Sequence, residues 1–124
     1  MVVQKYGGSS VEDASKMREV AQIALAHRRD GKIAVVLSAM RGCTDLLLIA
    51  AKDAEAGNST YKTALETLER RHFEATEALT QDAVRETLRN ALNEVFADLR
   101  DILHGVELVK ECSKRTLDLV AGFG

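Results

Sequence analysis

The chain has 124 residues, 46% of them hydrophobic and 29% charged, with a formal net charge of −2. That length suits one modest core, the balance excludes a disordered chain, and a slightly acidic protein lacks the basic footprint of a nucleic-acid binder. No apolar run reaches membrane-spanning length and no basic-then-apolar leader opens the chain, so no membrane partner is expected and the cytoplasm follows by default.

Cys43 and Cys112 stand far apart and outside any C-x-x-C pattern, so two reduced thiols are expected rather than a disulfide framework. His27, His72 and His104 lack ligand spacing; they are expected as surface or capping residues, with no metal site among them. Proline is absent and aromatic residues make up only 4%, which suits a helix-rich chain.

The first element is the stretch Val2-Val3-Gln4-Lys5-Tyr6-Gly7-Gly8-Ser9-Ser10. It reads as a short strand, a lysine, two glycines, and two hydroxyl residues opening a helix. A phosphate would find a use for each part. Glycine lets the backbone approach a ligand, a helix start offers N–H groups to an anion, and lysine adds a compact positive charge. The lysine precedes the glycines, so this is not the G-x-x-x-x-G-K-[ST] loop. A plain strand-to-helix turn with an exposed lysine explains the same residues.

Ser9-x-x-Glu12 and Ser10-x-x-Asp13 both fit a capping box, so a helix is expected from Ser9 or Ser10. Val11, Ala14, Met17, Val20, Ala21, Ala24 and Leu25 give it an apolar stripe, ending near Arg28-Arg29 before an Asp30-Gly31 turn. Ile33-Ala34-Val35-Val36-Leu37 is an unbroken apolar run, expected as a strand buried on both faces. Strand, helix and strand make a βαβ unit, whose ligands gather at the carboxyl ends of the strands. That rule brings Lys5-Tyr6-Gly7-Gly8 beside Ser38-Ala39-Met40-Arg41-Gly42-Cys43-Thr44-Asp45. Thr44 is expected to cap the next helix, from Leu46 to about Glu55, with Ala56-Gly57-Asn58 ending it. Asp45 suits the dipole of its first turn, and Arg41 is read as a surface residue.

A helix from Tyr61 to about Leu79 carries Leu65, Leu68, His72, Ala75 and Leu79 on one side. Thr80 and Asp82 mark a break and a fresh cap. A second helix follows from Val84 with Leu88, Ala91, Leu92, Val95, Leu99, Ile102 and Leu103, ending at Gly105. The two read as an antiparallel hairpin. Ser113 then caps a short helix bearing Leu117, Val120 and Ala121.

The pairing of Lys5-Tyr6-Gly7-Gly8-Ser9-Ser10 with Ser38-Ala39-Met40-x-Gly42-x-Thr44-Asp45 resembles the N-terminal region of aspartate kinases, within the amino acid kinase superfamily. The family opening is K-F-G-G-T-S, so Tyr6 and Ser9 are conservative departures. Leu103-His104-Gly105-Val106-Glu107-Leu108 through Asp118-Leu119-Val120-Ala121-Gly122-Phe123-Gly124 is similar to the segment running into S-F-G-E, with Gly122 in the place of the serine.

The resemblance implies an α/β fold: the start of an amino-acid-kinase sheet as a βαβ unit, followed by a helical hairpin, in a helix-dominated fragment. Residues 1–58 would hold the phosphate and substrate loops, 59–105 the hairpin, and 106–124 the helices leading to S-F-G-E. The implied reaction moves the γ-phosphoryl group of ATP onto the side-chain carboxylate of L-aspartate, opening lysine, threonine and methionine biosynthesis. Lys5 would stabilise the transferring phosphoryl group, with Tyr6, Gly7, Gly8 and Ser10 at the phosphates and Ser38 and Thr44 at the aspartate. Mg2+ is implied with ATP, without identifiable ligands. The family glutamate falls beyond Gly124, so the chain is expected to be an N-terminal fragment, inactive alone, which associates with itself or with the rest of its protein. Two other readings stand beside this one: an amino acid kinase for N-acetylglutamate, glutamate or a nucleoside monophosphate, and a non-catalytic helical association module.

Overall fold

Val2–Tyr6 forms strand β1 and Ile33–Leu37 strand β2 in the computed structural model, which describes residues 1–124. The strands pair in parallel, in register from Val2 opposite Ile33 to Tyr6 opposite Leu37. Parallel neighbours require a crossover, and helix α1, Ala14–Arg28, supplies it. These elements make up one compact unit, residues 1–42; a second spans residues 43–124.

The start of α1 differs from the capping boxes expected at Ser9 and Ser10. Gly8–Val11 winds into one 3-10 turn, and α1 begins only after Asp13, whose Oδ1 accepts the Lys16 N–H at 2.9 Å. Asp13 is extended at φ −149°, as a cap requires, and its charge sits at the positive end of the helix. The far end fits expectation: His27 and Arg28 occupy the last turn, and Gly31 turns the chain at a φ of +152°. The α1 stripe is buried only at Val20, with Val11 buried just before the helix. Strand β2 also departs from the reading as buried on both faces. Val35, Val36 and Leu37 are 40%, 48% and 59% exposed, because two strands and one helix cannot cover a sheet twice.

The second unit is four helices: α2 (Cys43–Glu55), α3 (Tyr61–Leu79), α4 (Asp82–Val109) and α5 (Lys114–Gly122). α2 packs against the other three. Its buried face is Leu47, Ala50, Ala51 and Ala54, and the three alanines let neighbouring helices approach closely. Leu65 and Leu68 of α3 and Leu99 and Leu103 of α4 complete the core. The expected antiparallel hairpin is present. Glu77 pairs with Arg85, Glu69 with Arg100 and Tyr61 with Glu107, an order that runs up one helix and down the other.

Between the helices Thr80 is extended, and the cap position falls on Gln81, which makes no side-chain bond. Asp82, expected as the cap, is instead the first helical residue, at φ +50°. Arg85 reaches back to close α3, donating to the carbonyls of Glu77 (2.7 Å) and Thr80. α4 does not stop at Gly105. It runs to Val109 and ends at Lys110 in left-handed backbone, whose N–H donates to the Val106 carbonyl at 2.8 Å. A mid-helix glycine costs about 1 kcal/mol, and burying the next residue, Val106, offsets it. Ser113 caps α5 as expected, accepting the Thr116 N–H at 3.1 Å, and Val120 is fully buried. No helix is long and apolar enough to cross a membrane.

One core bond carries a pH signature. The buried Tyr61 donates its hydroxyl to Glu107 Oε2 at 2.7 Å. Burial first, then the Glu107 bond and charge, push the phenol up to about 12; the Tyr61 bond, with help from His104 and Lys62, holds the Glu107 carboxyl below its usual value. A raised phenol favours the folded state below the unfolded value near 10 and loses that advantage as pH climbs to about 12. The depressed carboxylate acts oppositely, stabilising above the usual glutamate value and failing as pH falls through its folded one. Urea melts from pH 9 to 11.5 are expected to show wild type losing on the order of 2 kcal/mol more than Tyr61→Phe. Parallel slopes for the two proteins would remove Tyr61 from the alkaline transition.

Candidate functional site

At the carboxyl ends of β1 and β2 two short loops are stitched together by the main chain. The Ser38 N–H donates to the Tyr6 carbonyl at 3.0 Å and the Arg41 N–H to the Gly8 carbonyl at 3.1 Å, while Ser10 N–H closes onto Gly7 at 3.0 Å. Lys5, Gly7, Gly8, Ser10 and Ser38 are therefore brought to one edge of the first unit. Lys5 sits opposite Val36, exposed and in regular strand. Side chains alternate along a strand, so Tyr6 leaves on the other face, where its hydroxyl donates to Gln4 Oε1 at 3.1 Å. Ser38 is exposed and Ser10 half-buried.

The two glycines have different work. A Cβ on Gly8 would stand 3.1 Å from the Ala39 carbonyl oxygen and 3.3 Å from Arg41 Cα, so Gly8 lets the two loops touch. A Cβ on Gly7 would meet nothing within 4 Å. Gly7 thus keeps open space over the turn, which fits a group that needs close backbone approach. The leading N–H groups of a helical turn have no carbonyl of their own turn to bond. Lys5 is exposed on β1, two residues before Gly7 in the chain. Here the turn is a single 3-10 turn of four residues, and α1 begins only at Ala14, so no long helix starts at the glycines. Arg41 is exposed and pairs loosely with Glu12 at 3.9 Å.

A model of the amino acid kinase family matches residues 1–118. The chain belongs to that family. Among its relatives, Aspartokinase 2, chloroplastic, of Arabidopsis thaliana is 34% identical over 125 residues, covering 98% of this chain and 22% of the relative. Two crystal structures of E. coli aspartokinase III superpose on the whole of this amino acid kinase chain. The complex with aspartate and ADP gives a TM-score of 0.84 at 25% identity, and the complex with lysine and aspartate gives 0.83 at 26%. The chain spans 26% of each of those solved chains.

In this member of the amino acid kinase family the remaining expected residue, Thr44, lies in the second unit. α2 starts at Cys43 rather than Leu46, so Thr44 stands inside the first turn, exposed, instead of capping the helix from outside. No three His, Cys, Asp or Glu side chains cluster so as to hold a metal ion, and no residue is assigned to magnesium. The histidines divide. His27 and His104 are exposed, but His72 is half-buried in the helical core, contrary to its reading as a surface or capping residue. Its Nδ1 lies 2.7 Å from the Leu68 carbonyl oxygen, its Nε2 3.9 Å from Cys43 Sγ, and its ring meets Phe96 edge-on. His72 had one visible signal, a place on the apolar stripe of α3. Its partner, 29 residues away, left none. Both cysteines are free, and burial pushes both thiols up.

Proposed function

We propose that this chain supplies the phosphate side, and part of the acceptor side, of an ATP-dependent kinase acting on the side-chain carboxylate of L-aspartate. A carboxylate oxygen would attack the γ-phosphorus as the bond to ADP breaks, giving 4-phospho-L-aspartate, the first step toward lysine, threonine and methionine. The acceptor is already ionised at neutral pH, so the barrier lies in bringing an anion to a polyanion. Positive charge and positioning lower it. Lys5 takes the developing charge on the transferring oxygens. The backbone at Gly7 and Gly8, with Tyr6 and the Ser10 hydroxyl, holds the phosphates. Ser38 and Thr44 contact the aspartate.

The observation that carries this reading is the loop edge itself: an exposed lysine at a parallel strand end, beside a glycine whose missing side chain leaves open space. Likeness along the whole chain to a kinase crystallised with aspartate and ADP supports the choice of substrates. We also assign the protein to the cytoplasm, in keeping with its two free cysteines.

The uncovered apolar residues of β2, Val35 and Leu37 on one face and Val36 on the other, support a partner, whether a second copy or further kinase domain, and an inactive 124-residue piece. Trapping the acyl phosphate with hydroxylamine tests both points. The full-length gene product is expected to form a hydroxamate with ATP and aspartate, and not with glutamate or N-acetylglutamate; the 124 residues alone are expected to form none. Hydroxamate from N-acetylglutamate instead of aspartate would reassign the acceptor, and turnover by the short chain would refute its inactivity.

A further inference from the structure

The second unit holds a buried nucleophile that the proposed chemistry does not use. Cys43, the first residue of α2, is 1% exposed, and its Sγ faces His72 Nε2 at 3.9 Å. The tautomer follows from the other nitrogen. A carbonyl only accepts, so the 2.7 Å contact to Leu68 requires the proton on Nδ1 and leaves a lone pair on Nε2. The thiol therefore donates to the imidazole. Burial pushing the thiol up, against the opposing charge of Arg71, agrees with a sulfur that keeps its proton. His72 itself is held firmly. It is tied to its own helix through Leu68, and its ring meets Phe96 at 5.7 Å and 70°.

The pair also lines an apolar cavity of about 60 Å³, together with Leu47, Phe96, Leu99 and Phe123. A void supplies no contacts, so close packing does not fix the Cys43 side chain there. The residue before it, Gly42, has a φ of +79°, in the left-handed region where glycine turns freely. The directional contact that ties the first residue of α2 to α3 is its hydrogen bond to His72. Thr44 is the next residue.

We propose that Cys43 and His72 are positioning residues: their hydrogen bond sets the first turn of α2, and so the Thr44 hydroxyl, for the acceptor substrate. The inference rests on reading Thr44 as an aspartate contact. Neither residue touches substrate. Their loss acts on aspartate binding through the placement of one hydroxyl, and leaves the phosphate loops of the first unit alone.

A double-mutant cycle in the full-length gene product tests it, read as KM for aspartate, KM for ATP and kcat. Cys43→Val keeps the bulk and removes the donor; His72→Phe keeps the ring and removes the acceptor. Each is expected to raise the aspartate KM about 3- to 10-fold with the ATP KM unchanged, and the double variant no more than either single. Effects that multiply in the double variant, or an aspartate KM unmoved in both singles, would overturn the proposal, as would an equal rise in both KM values. Should Cys43→Val fail to fold, Cys43→Ala replaces it in the cycle. Thr44→Val separates the two levels. If it raises the aspartate KM while the Cys43 and His72 variants do not, positioning alone falls; if it is silent, the substrate contact falls and the proposal with it.

Discussion

Lys5→Met is expected to lower kcat of the full-length protein about 1,000-fold while the fold stays intact. Removing one fixed donor or charge from a transition state costs catalysis about 10²–10³-fold, and a lysine on a transferring phosphoryl group belongs at the upper end. The strand has little reason to notice. Lys5 is exposed, and its ladder bonds to β2 come from the backbone, which methionine keeps. Methionine also matches the lysine stem in length and flexibility, so the change isolates the charge. Stopped-time hydroxamate assays give kcat, and circular dichroism melts report folding. Loss of turnover beside an unchanged melting temperature is the expected pair of results. Turnover within about 5-fold of wild type would take Lys5 out of the mechanism.

The parts of this chain that were legible in its letters are those set by local pattern. Ile33–Leu37 is β-branched and uninterrupted, so β2 has both boundaries that its sequence suggests. α3 likewise begins and ends where its stripe does, at Tyr61 and Leu79. Patterns that compete were harder. S-x-x-[DE] occurs at Ser9 and again at Ser10, yet neither forms a box. The chain makes a 3-10 turn there, which puts the Gly8 carbonyl in reach of the Arg41 N–H, and that partner lies 33 positions on. Gly105 looks like a helix stop until the burial of Val106 is known. Val35–Leu37 looks like a doubly covered strand because a β-branched apolar run carries no count of the strands and helices there to cover it.

The candidate site divides in the same way. Chain order alone places Lys5, Gly7, Gly8 and Ser38 at strand ends, so their gathering was readable. The separate duties of Gly7 and Gly8 were not, because both letters are the same and only the Ala39 and Arg41 backbone tells them apart. The Cys43–His72 bond is of that kind too. It depends on how two helices cross, which no local spacing encodes.

That difference between neighbouring glycines gives the second large effect. Gly8→Ala is expected to destabilise the 124-residue chain by about 1–3 kcal/mol, as overpacking does, because the new methyl meets backbone on two sides. The Ala39 carbonyl and Arg41 Cα cannot swing aside like a side-chain tip. Relief has to come from parting the two loops, which strains the Arg41-to-Gly8 bond at 3.1 Å. Gly7→Ala meets no such wall. Its φ of −79° and ψ of 176° suit alanine, and fewer unfolded conformations are worth about 0.4–1 kcal/mol, so the fold should be as stable or slightly more so. Function should rank the pair differently. If Gly7 is where a phosphate nears the backbone, its alanine variant folds well and still raises the ATP KM, whereas Gly8→Ala loses stability and activity together. Urea melts of the short chain and kinetics of the full-length protein measure the two axes. Equal melts for both variants would mean that the loops are not held at the distance that makes Gly8 necessary. A Gly7→Ala enzyme with normal ATP KM would place the phosphates away from this turn.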